Sequence, residues 1–258
     1  MEGLDKLRID IDQCDKEIVS LIEKRFDIVS KIMETKKQMG LPVYHPGREE
    51  EVIKKVIKEV KDPRYQEVVK SIYRQILDTS KTYQSKNLFP YNVVLIGFMG
   101  AGKSIVGRCL SQSLGMDIFD IDDLIKIRLN SSIAKIFENH GEDYFRNIER
   151  ETIAEISKQK NAVISCGGGA VLINSNVNNL KENGKVFWLK AQPETIFQRI
   201  KDDDSRPLLR DKMNLSHITA LLSERWAKYK SVADYTIETD TYSVEEICDN
   251  IIKLLVTS

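Results

Sequence analysis

The first third of the chain spaces its apolar residues like a helix. Leu4, Leu7, Ile11, Ile18, Leu21, Ile22, Val29, Ile32 and Met33 recur every three or four positions, with charges between them and no glycine or proline after Gly3. The pattern predicts one amphipathic helix reaching about residue 39. The segment GLPVYHPG breaks it, and Val52, Val56, Ile57 and Val60 mark a second helix from Arg48 to about Val60. Beyond Asp62-Pro63, a third runs from about Tyr65 to Gln84 on Val68, Val69, Ile72, Ile76 and Leu77. At 1.5 Å per residue the first helix is about 50–60 Å long, and three such helices cannot cover its stripe alone. An entwined homodimer is the expected remedy.

The pattern changes after SKNLFPYN. From Val93 the apolar runs shorten to VVLIGF, DIFDID, AVISCG, VFWLK and DYTIE, with helical stretches between them. Short β-branched strands alternating with helices predict a parallel sheet of five strands wound on both faces. The expected fold is therefore two-domain: an all-α, three-helix dimerising domain at 1–86, a linker at 87–91, and an α/β domain at 92–258.

Composition narrows the partners. The chain has 258 residues, 41% hydrophobic and 30% charged, which suits folded domains rather than sustained disorder. Thirty-nine Lys plus Arg balance 39 Asp plus Glu, so no global basic field points to nucleic acid or an anionic membrane. Cys14, Cys109, Cys166 and Cys248 are too scattered for a zinc or redox motif and read as reduced thiols. The opening MEGLDKLRIDID has no apolar signal core, and no apolar run of about 20 residues follows, so a cytoplasmic location is expected.

The first predicted strand leads into Gly97-Phe98-Met99-Gly100-Ala101-Gly102-Lys103-Ser104, which satisfies GxxxxGK[ST] between a strand and a helix. Such a loop turns backbone N–H groups onto phosphate oxygens, aims the lysine at the β and γ phosphates, and sets the serine hydroxyl on Mg²⁺. ATP and Mg²⁺ are the expected cofactors, with Gly100, Ala101, Gly102, Lys103, Ser104 and Ile105 as nucleotide contacts. Strand alternation in Phe119-Asp120-Ile121-Asp122 is expected to point both carboxylates to one side. One would then hold Mg²⁺ through water, and the other would take a hydrogen bond or proton from an acceptor hydroxyl. A charged loop with Asp as a helix N-cap is the alternative.

With these motifs the second domain resembles shikimate kinase over residues 92–258. The P-loop GFMGAGKS, FDIDD, GEDYFRNIE around Arg146, SCGGGAV, RPLL from Arg206 and RWAKYKSVAD from Arg225 occur in that family's order. The resemblance implies that Arg146 and Arg225 clamp the carboxylate of shikimate, that Asp122 and the Gly168 region hold its hydroxyls, and that Ser104 with Asp120 holds Mg²⁺. Taken alone, each arginine reads first as a surface ion-pair partner, so its role as a clamp rests on the resemblance. The charged stretch around Arg206-Pro207 suits a lid that brings Arg206 to the transferring phosphoryl group. Arg199 resembles the family's adenine-stacking arginine, with a helix C-terminal charge as the alternative.

The first domain resembles the all-helical, dimeric class of chorismate mutase over residues 4–84. The matching positions are Leu4-Asp5-Lys6-Leu7-Arg8, Asp15, Glu23-Lys24-Arg25, Lys36, Arg48-Glu49, Asp78-Thr79-Ser80 and Gln84. The resemblance implies that Arg25 and the other protomer's Arg8 hold the two carboxylates of chorismate, supported by Arg48 and Ser80. Lys36 and Gln84 would face the ether oxygen, and Glu49 would accept from the ring hydroxyl. His45 stands where many members carry an acid, which would loosen the orientation of Lys36.

Two other readings stay open. The helical domain is a non-catalytic dimerisation module or a sensor of chorismate or prephenate, or the α/β domain phosphorylates another small carboxylated metabolite. The two reactions implied by resemblance are not consecutive, so direct channelling between the sites is not expected.

Overall fold

The computed structural model describes residues 2–39, 46–201 and 214–257. They form two compact units, one ending at Gln84 and one running from Ser85 to Val256.

The first unit is all helix: α1 (Glu2–Gln38), α2 (Pro46–Glu59) and α3 (Gln66–Leu88), with a short 3₁₀ turn at Pro63–Tyr65. Helix α2 begins two residues before the expected Arg48 because Pro46 suits a first turn, where its missing N–H would have no partner anyway. Asp62 caps the 3₁₀ turn by accepting from the Arg64 N–H. Helices α1 and α3 meet at Phe26 and Tyr83, whose rings pack edge to face at 5.4 Å. Along the rest of α1 the apolar stripe lies open: Leu7, Ile11 and Leu21 are each 60% exposed or more. An unpartnered stripe this long is unusual for a closed unit.

Helix α3 runs on to Leu88, so the stretch expected to link the domains is partly helix. No proline precedes Pro90 to stop it, and Phe89 is buried, with its carbonyl accepting from Asn161 Nδ2 at 3.0 Å.

The second unit is a five-stranded parallel sheet in the order β2-β3-β1-β4-β5. Its strands are β1 (Asn92–Ile96), β2 (Asp117–Asp120), β3 (Ala162–Ser165), β4 (Gly184–Lys190) and β5 (Tyr235–Glu238). They coincide with the five apolar runs in the sequence. Central β1 is buried throughout, as a strand covered on both faces must be. Its alternate residues feed two cores: Val94 and Ile96 face Ile164, Val186 and Trp188, while Val93 and Leu95 face Val163, Phe187 and Leu189.

The helices covering the sheet are α4 (Lys103–Leu114), α5 (Ile121–Leu129), α6 (Ile133–Ile156), α7 (Asn174–Glu182), α8 (Pro193–Ile200), α9 (Leu215–Val232) and α10 (Val244–Thr257). Because β1 lies between the β3 and β4 sides, its C-terminal end is the switch point where such sheets bind ligands. Among the described residues no helix is long and apolar enough to cross a membrane.

One local expectation is corrected. Strand β2 stops at Asp120 and Ile121 already begins α5, so strand alternation does not orient Asp120 and Asp122. Asp120 is the helix N-cap, accepting from the Asp123 N–H, and Asp122 sits in the first turn. The acids still reach one cavity, by way of a helix start.

Candidate functional site

At the end of β1 the chain turns through Gly97–Gly102 into α4. Gly102, the N-cap, has φ of 95°, a conformation that favours glycine over residues carrying a Cβ. Lys103 folds back on the loop and donates to the carbonyls of Gly97 at 2.9 Å and Phe98 at 3.0 Å. Its ammonium thus lies over the nest of N–H groups, where a phosphate chain is held. Ser104 Oγ donates to Asp120 Oδ2 at 2.6 Å, and the same oxygen accepts from Ser165 Oγ at 2.9 Å. A hydroxyl beside a carboxylate at a phosphate-binding helix start is a donor set that fits Mg²⁺, which shares its shell with phosphates and water.

Arg199 lies against this loop, donating to Gly100 O at 3.3 Å and to Thr239 Oγ1 and O at 3.2 and 2.6 Å. Ala101 is buried and Ile105 is half exposed. Arg206 lies outside the described residues.

Beside the loop opens a cavity of about 550 Å³. Asp122 enters from α5, Arg146 and Glu149 from α6, Gly167–Gly169 from the end of β3, and Arg225 from α9. Gly141, with φ of 80°, bends α6 and redirects the turn that carries Arg146 and Glu149. Arg146 Nη1 donates to Glu149 Oε2 at 2.8 Å, while its Nε and Nη2 donate to Glu142 Oε1 at 3.1 and 2.9 Å. Burial opposes the charge of Arg146, but Glu149 and Glu142 outweigh it.

Glu149 is fully buried, which raises its carboxyl against the pull of Arg146. Its Oε1 has no hydrogen-bond partner among the described residues. Arg225 is only 7% exposed, stacks its guanidinium 5.6 Å from the Phe98 ring, and leaves Nη1 buried without a hydrogen-bond partner among the described residues. A buried guanidinium donor left open is costly unless a ligand completes it.

The three glycines make room for these groups. A Cβ at Gly167 would lie 2.7 Å from Glu149 Oε1 and 2.9 Å from Asp122 Oδ1. Tyr229, its hydroxyl pushed up to about 12 by burial, donates to Gly168 O at 2.5 Å and fixes the turn. The cavity therefore combines acceptors at Asp122 and Glu149 with donors at Arg146 and Arg225. That composition suits a small molecule carrying both hydroxyls and a carboxylate.

In the helical unit, Arg25, Ser80 and Gln84 come together. Arg25 Nη1 donates to Ser80 Oγ at 2.5 Å, Ser80 Oγ donates to Ile76 O, and Gln84 Nε2 donates to Ser80 O at 3.1 Å. Lys36 and Arg25 are half-buried, and burial lowers both pKa values. Glu49 reaches α3, where Lys81 pairs with it at 3.2 Å. Two expected residues are not gathered in. Arg48 points outward to Glu51, and exposed Arg8 pairs with Asp5. Arg8 precedes Arg25 by 17 positions on α1, about 25 Å along the axis. His45 lies outside the described residues.

Sequence reasoning passed over Glu149 and Lys81. Glu149 stands three positions after Arg146, an ordinary surface spacing on a helix, and only burial distinguishes it. Lys81, beside Ser80, looks like one of many helix charges.

Two family models match the chain: chorismate mutase type II over residues 7–85 and shikimate kinase over residues 99–256. The shikimate kinase of Caldicellulosiruptor saccharolyticus is 44% identical over 163 residues, covering 63% of this chain and 94% of that protein. That of Moorella thermoacetica is 46% identical over 151 residues, covering 58% and 86%. Among solved structures, the shikimate kinase from Acinetobacter baumannii in complex with shikimate superposes with a TM-score of 0.65 at 36% identity. The match covers 67% of this chain and 97% of that one.

Proposed function

The chain belongs to the shikimate kinase family and carries a chorismate mutase type II domain ahead of the kinase, and from that premise we propose how its residues share two reactions. The chain is bifunctional. Its second unit phosphorylates the 3-hydroxyl of shikimate with ATP, and its first rearranges chorismate to prephenate.

In the kinase, backbone N–H groups of the P-loop and Lys103 bind the phosphate chain, with Lys103 exchanging its loop carbonyls for phosphate oxygens. Ser104 and Asp120 would hold Mg²⁺, whose charge would offset that of the phosphates. Asp122 accepts from the 3-hydroxyl, orients its oxygen toward the γ-phosphorus and takes the proton as ADP leaves. Arg146 and Arg225 hold the shikimate carboxylate, Arg199 flanks the nucleotide, and Arg206 supplies further positive charge. The observation that carries this reading is Arg225, a buried arginine lining the cavity, whose Nη1 has no hydrogen-bond partner among the described residues. A neutral sugar or nucleoside would leave it uncompensated.

The mutase needs no nucleophile, metal or proton transfer, only fixed charges around a compact substrate conformer. Arg25 and Ser80 take one carboxylate, Gln84 and Lys36 meet negative charge growing on the ether oxygen, and Glu49 accepts from the ring hydroxyl. Arg8 lies too far along α1 to share a site with Arg25 in one chain, so a second copy supplies it. The open stripe of α1 supports that homodimer.

Purified full-length chain, assayed separately for ATP-dependent phosphorylation of shikimate and for loss of chorismate, tests both halves. Phosphorylation of a neutral polyol but not of shikimate would overturn the kinase assignment. Chorismate binding without turnover would make the helical unit a sensor.

A further inference from the structure

The ion pair that joins α2 to α3 has received no role so far. Lys81 Nζ lies 3.2 Å from Glu49 Oε1, 3.4 Å from Glu49 Oε2 and 3.0 Å from Asp78 Oδ1. The Lys81 side chain is 17% exposed and that of Glu49 32%, whereas Arg48 and Glu51, beside them on α2, are 60% exposed on both sides. An exposed pair such as Arg48–Glu51 contributes little because water screens it and long side chains stay free. The half-buried pair is held from two directions. Burial works against the charge of Lys81, yet Asp78 and Glu49 together more than offset it, so Lys81 stays a cation.

The geometry divides the work between the two carboxylates. Asp78 lies three positions before Lys81 on α3, so it fixes the lysine rotamer from within the same helix. Lys81 then reaches across to α2 and fixes Glu49. Immediately before Lys81, Ser80 carries the contact to Arg25, so one turn of α3 sets both groups. A carboxylate offers about four lone-pair sites, and one ammonium leaves most of them for a ligand. Without that partner, the three torsions of Glu49 would be free to turn it toward water, at an entropy cost to any ligand needing it in place.

We propose that Lys81 is a positioning residue of the mutase site: it holds the Glu49 carboxylate where the ring hydroxyl of chorismate meets it. The role rests on the mutase reading and on Glu49 as the hydroxyl acceptor. Lys81 acts through Glu49 and touches no reacting atom.

A double-mutant cycle on the full-length chain tests this, with kcat, KM for chorismate and Tm measured for wild type, Lys81→Met, Lys81→Arg, Glu49→Gln and the Lys81→Met/Glu49→Gln pair. Lys81→Met is expected to lower kcat/KM by about tenfold, chiefly through KM, because the hydroxyl contact is made in substrate and transition state alike. Lys81→Arg should restore most of the loss. In the Glu49→Gln background, Lys81→Met should cost less than about twofold, since the group it positions is gone. If Lys81→Met does not fold, Lys81→Gln, which keeps donors but no charge, replaces it in the cycle. Equal losses in both backgrounds, or unchanged kcat/KM in a folded Lys81→Met, would overturn the positioning role alone. A wild-type chain that does not consume chorismate would instead overturn the mutase reading beneath it.

Discussion

A Cβ placed on Gly169 would lie 2.5 Å from Arg146 Nη2, closer than any side chain tolerates. The backbone there is ordinary, with φ of −100°, so alanine would fit the turn and only the guanidinium would have to move. Arg146 is already held by Glu142 and Glu149 and has little freedom to do so. Gly169→Ala should therefore raise KM for shikimate by about tenfold or more, with KM for ATP and the Tm nearly unchanged. Steady-state kinetics with each substrate varied is the check, and an unaltered shikimate KM would place the carboxylate elsewhere.

Lys103 donates to the loop carbonyls of Gly97 and Phe98, which it would trade for phosphate. Lys103→Ala is expected to abolish phosphorylation of shikimate while chorismate turnover stays within a few-fold of wild type. Parallel assays on one preparation decide it, and equal collapse of both activities would refute independent sites.

Asp122 lies on the first turn of α5, facing the cavity beside Gly167. Replacing it with Asn keeps shape and an acceptor but removes the base, and should cost at least about 10²-fold in kcat for phosphorylation. A rate near wild type would move the acceptor hydroxyl away from this residue.

The separation of Arg8 and Arg25 along α1 predicts complementation. Arg8→Ala and Arg25→Ala should each be nearly inactive as mutases. A heterodimer of the two has one site with both arginines and one with neither. Random exchange makes about half the molecules heterodimers, so the mixture should recover about a quarter of wild-type activity. Differently tagged chains would confirm exchange. Complete exchange with no recovery would return Arg8 to its own chain or to the surface.

How far the sequence led depends on which forces were local. The three helices and five strands are written in apolar periodicity, and the P-loop in a spacing that only a strand-turn-helix satisfies. The orientation of Asp120 and Asp122 was not, because alternation assumes a strand that continues, whereas Asp120 caps a helix. Capping by Asp leaves a signal in the sequence, but it competes with a strand pattern of equal length. Glu149 was invisible for a different reason: its meaning comes from complete burial against Gly167, a contact between residues far apart in the chain. Lys81 shares that fate, since nothing in its neighbours says that Glu49 lies opposite.

The homodimer proposed from the open stripe on α1 would tie the two activities to protein abundance in different ways. If, as proposed, the helical unit completes its site by pairing with a copy of itself, it gains stability with concentration, by mass action. The described walls of the kinase cavity all belong to the second unit, and none to the helical unit that carries the open stripe. On serial dilution, mutase turnover per chain should fall as pairs dissociate, while kinase turnover per chain stays level. The ratio of the two outputs would then serve the cell as a gauge of how much enzyme it holds, a property neither domain would have if expressed alone.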